Sequence, residues 1–349
     1  MEWLDKYKWN SFNSIKALQY RAWYDAILAG EFLPPVEASV DPVNDCNLNC
    51  FWCNGHDVHK RKVRMSTYHL IELCDFFKKW GVKGVCFAGG GEPTMHEGLG
   101  GAFQHLHVLG LPAAIITNGL FLDDAQIRNI GNYAQWVGIS VDCAKPETYK
   151  LIKGEDRFKD VLRNISALLK YEPREVTYKF LIHPKNQYEI FDAIKTAAQL
   201  GCHGIHIRPV SFRNFQKSEE PFDVIRINQQ IDEGFKEYGN SIKIFAVKHK
   251  FNKDLHVQFP FKQCLGTPIM PIFQANGDVS LCIDRKADKS LVLCQHNNPA
   301  EVLKAWGSKK HHDIIKGINI KDCPKCTFTH INEIIERVVI NNEMNWEFS

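Results

Sequence analysis

The stretch CNLNCFWC, residues 46–53, contains three cysteines in the spacing C-x3-C-x2-C. Thiols this close together are poor disulfide partners for one another, so Cys46, Cys50 and Cys53 are expected to converge on one metal centre. A tetrahedral zinc site needs four ligands, and the two histidines that follow lie too close for a familiar zinc spacing. Three thiolates suit an iron–sulfur cubane that keeps one iron open. A zinc loop and three ordinary buried cysteines are the alternatives.

Outward from this stretch, apolar strand-like segments alternate with segments of helical periodicity, and the first strand ends just before the cysteines. Such alternation predicts parallel pairing with right-handed crossovers, and six units indicate an α/β fold with a partial (β/α)6 parallel barrel. In such folds, chemistry occurs at the carboxyl ends of the strands. The predicted strands are 36–40, 84–88, 112–117, 136–141, 176–182 and 204–208. The predicted helices cover 14–29, about 67–80, 98–109, 123–131, 146–152, 158–171 and 187–200.

A glycine-rich motif, GGGEP at 89–93, directly follows the second predicted strand. Together with the cysteine spacing, over roughly residues 36–210, it resembles the radical S-adenosylmethionine (SAM) enzymes. The resemblance implies that Cys46, Cys50 and Cys53 hold a 4Fe–4S cluster whose open iron is chelated by SAM. It also implies cofactor contacts from Trp52 at the aromatic position, and from Gly89, Gly90, Gly91 and Glu92, which resemble the motif that binds the SAM amino group.

Other polar residues follow or lie within the later predicted strands. A turn or helix-capping role is the alternative for the residues at strand ends. Arg208 shares a face with His206 by the two-residue period, and its fork suits a carboxylate. That carboxylate is expected to be the methionyl group of SAM, with a substrate carboxylate or phosphate as the second choice and a structural ion pair as the alternative. The candidate cofactor contacts here are Thr117, Asn118, Ser140, Asp142, Lys179 and Arg208.

A second cysteine set lies in the C-terminal third of the chain, around a predicted β-hairpin over 273–281 with an Asn-Gly turn. Zinc is the generic interpretation of four cysteines. Beside the first motif, the set resembles the short Twitch auxiliary domain, related to the longer SPASM domain, and this implies a second 4Fe–4S cluster. The four predicted ligands are Cys264, Cys282, Cys323 and Cys326.

We therefore expect a helical extension over 1–35, the partial barrel over 36–250 and a small α+β auxiliary domain over 251–349. Asp284 and Arg285 follow Cys282 directly and are candidate acid–base or anchoring groups, with a surface ion pair as the alternative. Cys143 and Cys294 are candidate hydrogen-atom donors for an epimerase, with core packing as the alternative. These four residues are the predicted catalytic groups.

The formal net charge of +3 gives no electrostatic argument for nucleic acid. No apolar run reaches the 18 or so residues of a membrane span, and twelve cysteines without a secretion signal favour metal ligation, so a cytoplasmic location is expected.

The resemblance implies reductive cleavage of SAM to a 5′-deoxyadenosyl radical, with a reductant such as flavodoxin or ferredoxin. The expected substrate is a small molecule such as a sugar, cyclitol or nucleotide conjugate, and the expected outcome is net oxidation by an oxidoreductase. A radical epimerase and a peptide-modifying enzyme are alternatives, and a non-catalytic iron–sulfur electron carrier or binding protein is an alternative of another class.

Overall fold

The computed structural model describes residues 14–53, 55, 58, 62–171, 173–210, 221–247, 251–345 and 347. The first 13 residues of the predicted N-terminal extension lie outside this set. The described part of the extension begins with a 3-10 helix, Ser14–Tyr20, and continues as α1, Arg21–Leu28. Trp23 Nε1 donates to the Pro34 carbonyl at 2.7 Å and so ties the extension to the chain that enters the barrel.

Ten strands form one sheet in the order β10-β9-β8-β1-β2-β3-β4-β5-β6-β7. The pairs from β8 through β1 to β7 are parallel, and the β8–β9 and β9–β10 pairs are antiparallel. The strands are β1 Glu37–Asp41, β2 Gly84–Phe87, β3 Ala113–Thr117, β4 Ala134–Ser140, β5 Val176–Ile182, β6 Gly204–Pro209, β7 Lys243–Ala246, β8 Ile272–Gln274, β9 Asp278–Ser280 and β10 Val292–Gln295.

Helices connect the parallel strands, as the alternating sequence pattern predicts. In α2, Ser66 Oγ accepts from the His69 N–H at 3.1 Å, and Gly81 ends the helix with φ 98°, so both ends of this predicted helix are capped. The helices are α2 Thr67–Trp80, α3 Leu99–Val108, α4 Asp124–Tyr133, α5 Pro146–Lys153, α6 Phe158–Leu169, α7 Ile190–Leu200, α8 Val224–Tyr238, α9 Pro299–Ala305, α10 Lys309–Lys316 and α11 Thr329–Glu333, which runs into a π-helical segment Ile334–Ile340. Short 3-10 helices occupy Pro93–Met95, Thr267–Ile269, Ile283–Arg285, Lys289–Leu291 and Ile320–Asp322.

The two faces of the parallel sheet differ in chemistry. One face carries large apolar side chains that are fully buried against the helices, among them Val40, Phe87, Ile115 and Val137 in register across four strands. On the other face, Ser140 of β4 pairs with Lys179 of β5, which pairs with His206 of β6. Side chains alternate along a strand, so this second face forms a polar barrel interior.

These features confirm the predicted α/β partial barrel and its small C-terminal unit with antiparallel strands. The parallel part contains β7 in addition to the six predicted strands. Its four residues are too few to show a period, and it becomes a strand by pairing with β6 through Ile205 and Ile244.

The C-terminal hairpin β8–β9 turns at Gly277, where φ is 91°. It also extends the barrel sheet, because β8 pairs in parallel with β1 through Ser39 and Ile272. Phe273 of β8 is fully buried, and its ring lies edge-on to Phe77 of α2 with 4.7 Å between centroids. The hairpin is therefore joined to the barrel both by backbone pairing and by core packing.

Phe273→Ala should lower the free energy of unfolding by about 3–5 kcal/mol, because it removes this buried ring and leaves a cavity at the junction. The measurement is chemical denaturation of the full chain. Phe121→Ala is the matched control, since that ring is 52% exposed and its loss should change stability by less than about 0.5 kcal/mol. Equal effects from the two variants would contradict the role given to Phe273.

Candidate active site

The three cysteines of the 46–53 loop lie together at the carboxyl end of β1. Each thiol is partly buried. The pKa of Cys46 is raised to about 12, first by burial, with Glu92 and the other two cysteine thiols adding to the rise. The loop is closed by a bond from the Cys53 N–H to the Cys50 carbonyl at 3.1 Å, and Cys53 Sγ accepts from the Gly55 N–H at 3.2 Å. The sequence-predicted trio is thus brought into one group.

A buried lysine, Lys153 at the end of α5, accompanies Cys50. Its Nζ lies 2.6 Å from Asp142 Oδ2, and both side chains are only 3% exposed. Burial lowers the pKa of Lys153, but Asp142 and the adjacent Cys50 outweigh burial and leave the pKa raised. Sequence reasoning missed this residue, because a lysine at a helix end normally faces solvent.

Asp142, directly after β4, is held in a conformation with φ 64° that non-glycine residues seldom adopt. Its Oδ1 accepts from the Leu181 N–H at 2.8 Å, and its carbonyl accepts from Asn186 Nδ2 at 2.7 Å. Because Lys153 pairs with Oδ2, both carboxylate oxygens of Asp142 have partners within the protein. Ser140, also predicted, is half-buried at the end of the same strand.

The glycine loop after β2 packs directly on the cysteine loop. The Gly91 N–H donates to the Val43 carbonyl at 2.9 Å, and the Glu92 N–H donates to the Asp45 carbonyl at 2.7 Å. A Cβ on Gly91 would lie 1.9 Å from that Asp45 oxygen, and one on Gly90 would lie 2.6 Å from Asn44 Oδ1. Only glycine permits this approach at both positions.

The Glu92 carboxylate is buried and saturated with donors from two strand ends. Oε1 accepts from the hydroxyl of Thr94 at 2.7 Å and from that of Thr117 at 2.6 Å, and Oε2 accepts from the Asn118 N–H at 2.7 Å. Asn118 Nδ2 in turn donates to Asn47 Oδ1 of the cysteine loop at 2.8 Å. Glu92 therefore positions the ends of β2 and β3 against the cysteines.

Trp52, between two of the cysteines, is buried and stacks on His183 after β5, with 5.1 Å between centroids and 24° between planes. Burial and nearby Lys185 lower the pKa of His183 to about 4, so the ring is neutral at physiological pH. His183 is a second residue that sequence reasoning missed. The stack fixes Trp52 as an anchor of the loop.

The four C-terminal cysteines, Cys264, Cys282, Cys323 and Cys326, line one cavity with walls that include Phe259, Phe261 and Phe328. Several donors point at these sulfurs. The Asp284 N–H donates to Cys282, Asn332 Nδ2 lies 3.5 Å from Cys326 Sγ, and Arg285 Nη1 lies 3.9 Å from Cys323 Sγ. Donors of this kind are what a thiolate-ligated cluster uses to balance its charge.

In the part of the chain that the structure describes, no three Cys, His, Asp or Glu side chains converge tightly enough for a single metal ion. A cubane differs from one ion because each iron takes its own thiolate, which keeps the ligand sulfurs apart. Three thiols beside the glycine loop and four around the C-terminal cavity are donor sets of the type that holds iron–sulfur clusters.

Asp284 and Arg285 form ion pairs with different residues and not with each other. Asp284 Oδ1 lies 3.2 Å from Lys325 Nζ and accepts from the Thr327 hydroxyl at 3.0 Å. Burial would raise the pKa of Asp284, but Lys325 and Thr327 outweigh it and hold the pKa below its usual value. Arg285 pairs with Asp288 at 2.5 Å. The predicted acid–base role of the two residues stays a prediction.

The two candidate donor thiols lie in packed surroundings. Cys143 is fully buried in the barrel's hydrophobic core, and burial raises its pKa far above the usual value. Cys294, on β10, is half-buried against a small cluster of Leu281, Leu293 and Trp306. These positions favour packing, and a hydrogen-donor role for either thiol stays a prediction.

Lys286 links the C-terminal unit to the glycine loop. Its Nζ lies 2.7 Å from Asp41 Oδ2 and 2.7 Å from the Gly89 carbonyl, and both charged side chains are nearly fully buried. Burial raises the pKa of Asp41, an effect that the ion pair with Lys286 reduces. No sequence signal distinguishes Lys286 from its neighbouring lysines, because its partners lie more than 190 positions away.

Among the helices that the structure describes, none combines the length and hydrophobicity that crossing a bilayer requires.

Comparisons with known proteins agree with this geometry. Residues 40–198 match the sequence profile of the radical SAM superfamily. A probable GTP 3′,8-cyclase of Saccharolobus islandicus is 26% identical over 198 residues, which are 53% of this chain and 64% of that protein. A probable GTP 3′,8-cyclase of Methanothermobacter marburgensis is 25% identical over 172 residues, covering 48% and 56% of the two chains. The chain thus spans between half and two thirds of these relatives' lengths.

Solved structures share the fold at low identity. SuiB of Streptococcus suis, bound to its precursor peptide SuiA, superimposes with a TM-score of 0.67 at 14% identity, covering 88% of this chain and 73% of that chain. The structure titled native anSMEcpe with bound AdoMet gives a TM-score of 0.61 at 18% identity, covering 86% and 89% of the two chains.

The profile match and the two motifs that meet at the carboxyl ends of β1 and β2 confirm the predicted resemblance and its cofactors, SAM and a 4Fe–4S cluster, and the solved structures share the fold. Residues 40–198 of this chain form a radical SAM domain.

Proposed function

We propose that this chain is a radical SAM oxidoreductase that abstracts a hydrogen atom from a small molecule and completes a net oxidation with the help of a second cluster. The proposal rests on one observation: two separate groups of cysteines lie next to strands of the same sheet. The first follows β1, and the second lies around the hairpin that pairs with β1. A non-catalytic electron carrier would not need the glycine loop docked on the first group.

In this proposal, Cys46, Cys50 and Cys53 hold the SAM-binding cluster, and Cys264, Cys282, Cys323 and Cys326 hold the auxiliary one. The hydroxyl of Tyr149 is buried, close enough to Cys50 to be affected by its charge, and has no hydrogen-bond partner among the described residues. Such an orphaned donor fits a site that a sulfur-rich group would complete.

When bound, the first cluster and SAM supply one-electron reductive cleavage and an abstracting 5′-deoxyadenosyl radical. The chain's own residues bind and orient. In this proposal the backbone of 89–91 would accept hydrogen bonds from the SAM amino group, and Glu92 holds that loop and Asn118 in place. Burial raises the pKa of Cys50, and the positive charge of Lys153 opposes that rise and so favours the thiolate form.

Net oxidation requires that the substrate lose a hydrogen atom, then a proton and an electron. The electron needs an acceptor, and in this proposal a cluster held by the four cysteines of the C-terminal cavity is that acceptor. Asp284 lines that cavity as a carboxylate, because Lys325 and Thr327 hold its pKa low, and in this proposal it accepts the proton. We expect flavodoxin or ferredoxin as the reductant and a cytoplasmic location.

A redox-neutral ring closure on a nucleotide is the second candidate, because curated relatives are named probable GTP 3′,8-cyclases. A peptide substrate has support only from fold-level likeness to SuiB with its precursor peptide. The product mass separates oxidation from ring closure.

The iron content tests the two cluster sites. Anaerobic reconstitution should give about eight irons per chain, as two four-iron clusters require. Cys50→Ala should leave about four and abolish formation of 5′-deoxyadenosine with dithionite, whereas Cys74→Ala, a helix cysteine in the core, should keep both. A wild-type maximum near four irons with stoichiometric zinc would reject the auxiliary cluster.

Glu92→Ala should weaken SAM binding by roughly tenfold or more, because it removes a buried charged acceptor worth about 1.5–3 kcal/mol and frees the strand ends that the site needs. Equilibrium dialysis with labelled SAM measures this. Glu97→Ala is the control, since the Glu97 side chain is 69% exposed and lies nearby in sequence. Unchanged SAM affinity in Glu92→Ala would show that the carboxylate does not organise the site.

The outcome of the reaction is read from product mass once a substrate is found by screening for deuterium transfer into 5′-deoxyadenosine. A product two mass units lighter than the substrate, formed also by Cys143→Ala and Cys294→Ala, supports oxidation. An unchanged mass without solvent deuterium indicates ring closure or another rearrangement. A product that keeps the substrate's mass in H2O and gains one carbon-bound deuterium in D2O, with that gain lost in one of the two variants, establishes epimerisation and overturns the oxidation.

A further inference from the structure

One buried ion pair holds both ends of the peptide group that joins Gly89 to Gly90. Lys286 Nζ donates to the Gly89 carbonyl at 2.7 Å, and the Gly90 N–H donates to the Asp41 carboxylate. Lys286 Nζ also lies 2.7 Å from Asp41 Oδ2, and the two side chains are 5% and 0% exposed. A cation and an anion that pair with each other therefore bind the acceptor and the donor of a single peptide plane.

No side chain of its own fixes the direction of this peptide group. A trans peptide points its carbonyl and its N–H in opposite directions, and a glycine on each side leaves the neighbouring dihedrals permissive. Rotation of the plane by half a turn would point the carbonyl at the Asp41 carboxylate and the N–H at the Lys286 ammonium. Both contacts would be repulsive, and such repulsion is strong where water is excluded. The ion pair therefore selects one of two orientations of the peptide.

The ammonium that makes this selection comes from the C-terminal unit. Lys286 directly follows the short 3-10 helix Ile283–Arg285, and its carbonyl accepts from Gln274 Nε2 of β8 at 2.9 Å. Gln274 is buried and is the residue of β8 that is in register with Asp41 of β1. The pairing of β8 with β1 therefore brings Lys286 to Asp41 and to the glycine loop, and the barrel without the C-terminal unit would lack this cation.

We propose that Lys286 is a positioning residue for SAM, so that the SAM site of the barrel is complete only when the C-terminal unit is docked on it. By fixing the Gly89–Gly90 peptide, Lys286 and Asp41 hold the carbonyls of the glycine loop in the directions that the SAM amino group needs. This assignment rests on the proposed function, in which the backbone of 89–91 binds that amino group. It gives the C-terminal unit a role in SAM binding that is separate from holding the auxiliary cluster.

The test compares variants of the reconstituted full chain by equilibrium dialysis with labelled SAM and by chemical denaturation. Lys286→Met removes the donor from the Gly89 carbonyl and leaves the Asp41 carboxylate buried without its cation. It should weaken SAM binding by about tenfold, the effect of losing one charged hydrogen bond, and it should also lower the denaturation midpoint.

A double variant separates positioning from stability. Lys286→Met combined with Asp41→Asn removes the unpaired charge, and the asparagine amide oxygen can still accept from the Gly90 N–H. The denaturation midpoint should return toward that of the wild-type chain. SAM binding should stay about tenfold weaker than in the wild-type chain, because the Gly89 carbonyl still lacks its donor.

His69→Ala is the matched control, because it breaks another contact between the same two units. His69 Nε2 of α2 lies 2.8 Å from Nδ1 of His296, which directly follows β10. This contact does not involve the glycine loop, so its loss should change SAM affinity by less than about twofold.

Two results would overturn the proposal. Recovery of SAM affinity together with stability in the double variant would show that Lys286 acts only through stability. Unchanged SAM affinity in Lys286→Met would show that the glycine loop does not need this cation. Iron content is measured on every sample, and where Lys286→Met loses iron the double variant decides.

Failure of the proposed function is seen separately, in the wild-type chain. It would appear as absence of SAM binding and of 5′-deoxyadenosine formation with dithionite after reconstitution, and it would overturn this inference as well.

Discussion

The contact between the glycine loop and the cysteine loop is the constraint on which the site depends. Two backbone N–H groups, of Gly91 and Glu92, donate to carbonyls of the chain that leads into the cysteines. The distance leaves no space for a Cβ at Gly91, so the contact is purely main chain there. The carboxyl ends of β1 and β2 are thereby held together, and the buried Glu92 carboxylate adds the end of β3 through Thr117 and Asn118. The loop's position is thus fixed before any cofactor binds.

A buried ion pair joins the C-terminal unit to the barrel beside the glycine loop. Lys286 reaches from beyond β9 to Asp41 and to the Gly89 carbonyl of the glycine loop. A buried ion pair adds little net stability compared with apolar packing, but breaking it leaves an uncompensated charge that costs several kcal/mol. The pair therefore favours one arrangement of the hairpin relative to the glycine loop.

Much of the fold could be predicted because its signals are local. Strand and helix periodicity and the Asn-Gly turn are each signals within a short stretch of sequence, and the structure confirms them. The short strand β7 could not be predicted, since pairing with β6 creates it. In the site, the cysteine spacing located both groups. Lys153, His183 and Lys286 were not predicted, because their roles follow from tertiary partners that no spacing rule specifies.

The contrast between local signals and tertiary partners also applies to Glu92 and Asp142. Their residue type predicted that both lie in the site, but not which groups their carboxylates contact. Both carboxylates accept bonds from several protein donors, so their oxygens are largely used in holding strand ends. A carboxylate that the protein saturates with donors shapes a site. The polar row formed by Ser140, Lys179 and His206 lies on the neighbouring strands β4, β5 and β6. Because β8 continues the sheet from β1, the cysteine cavity and that row belong to one hydrogen-bonded framework. The position of one cysteine group relative to the other is then fixed through the sheet itself.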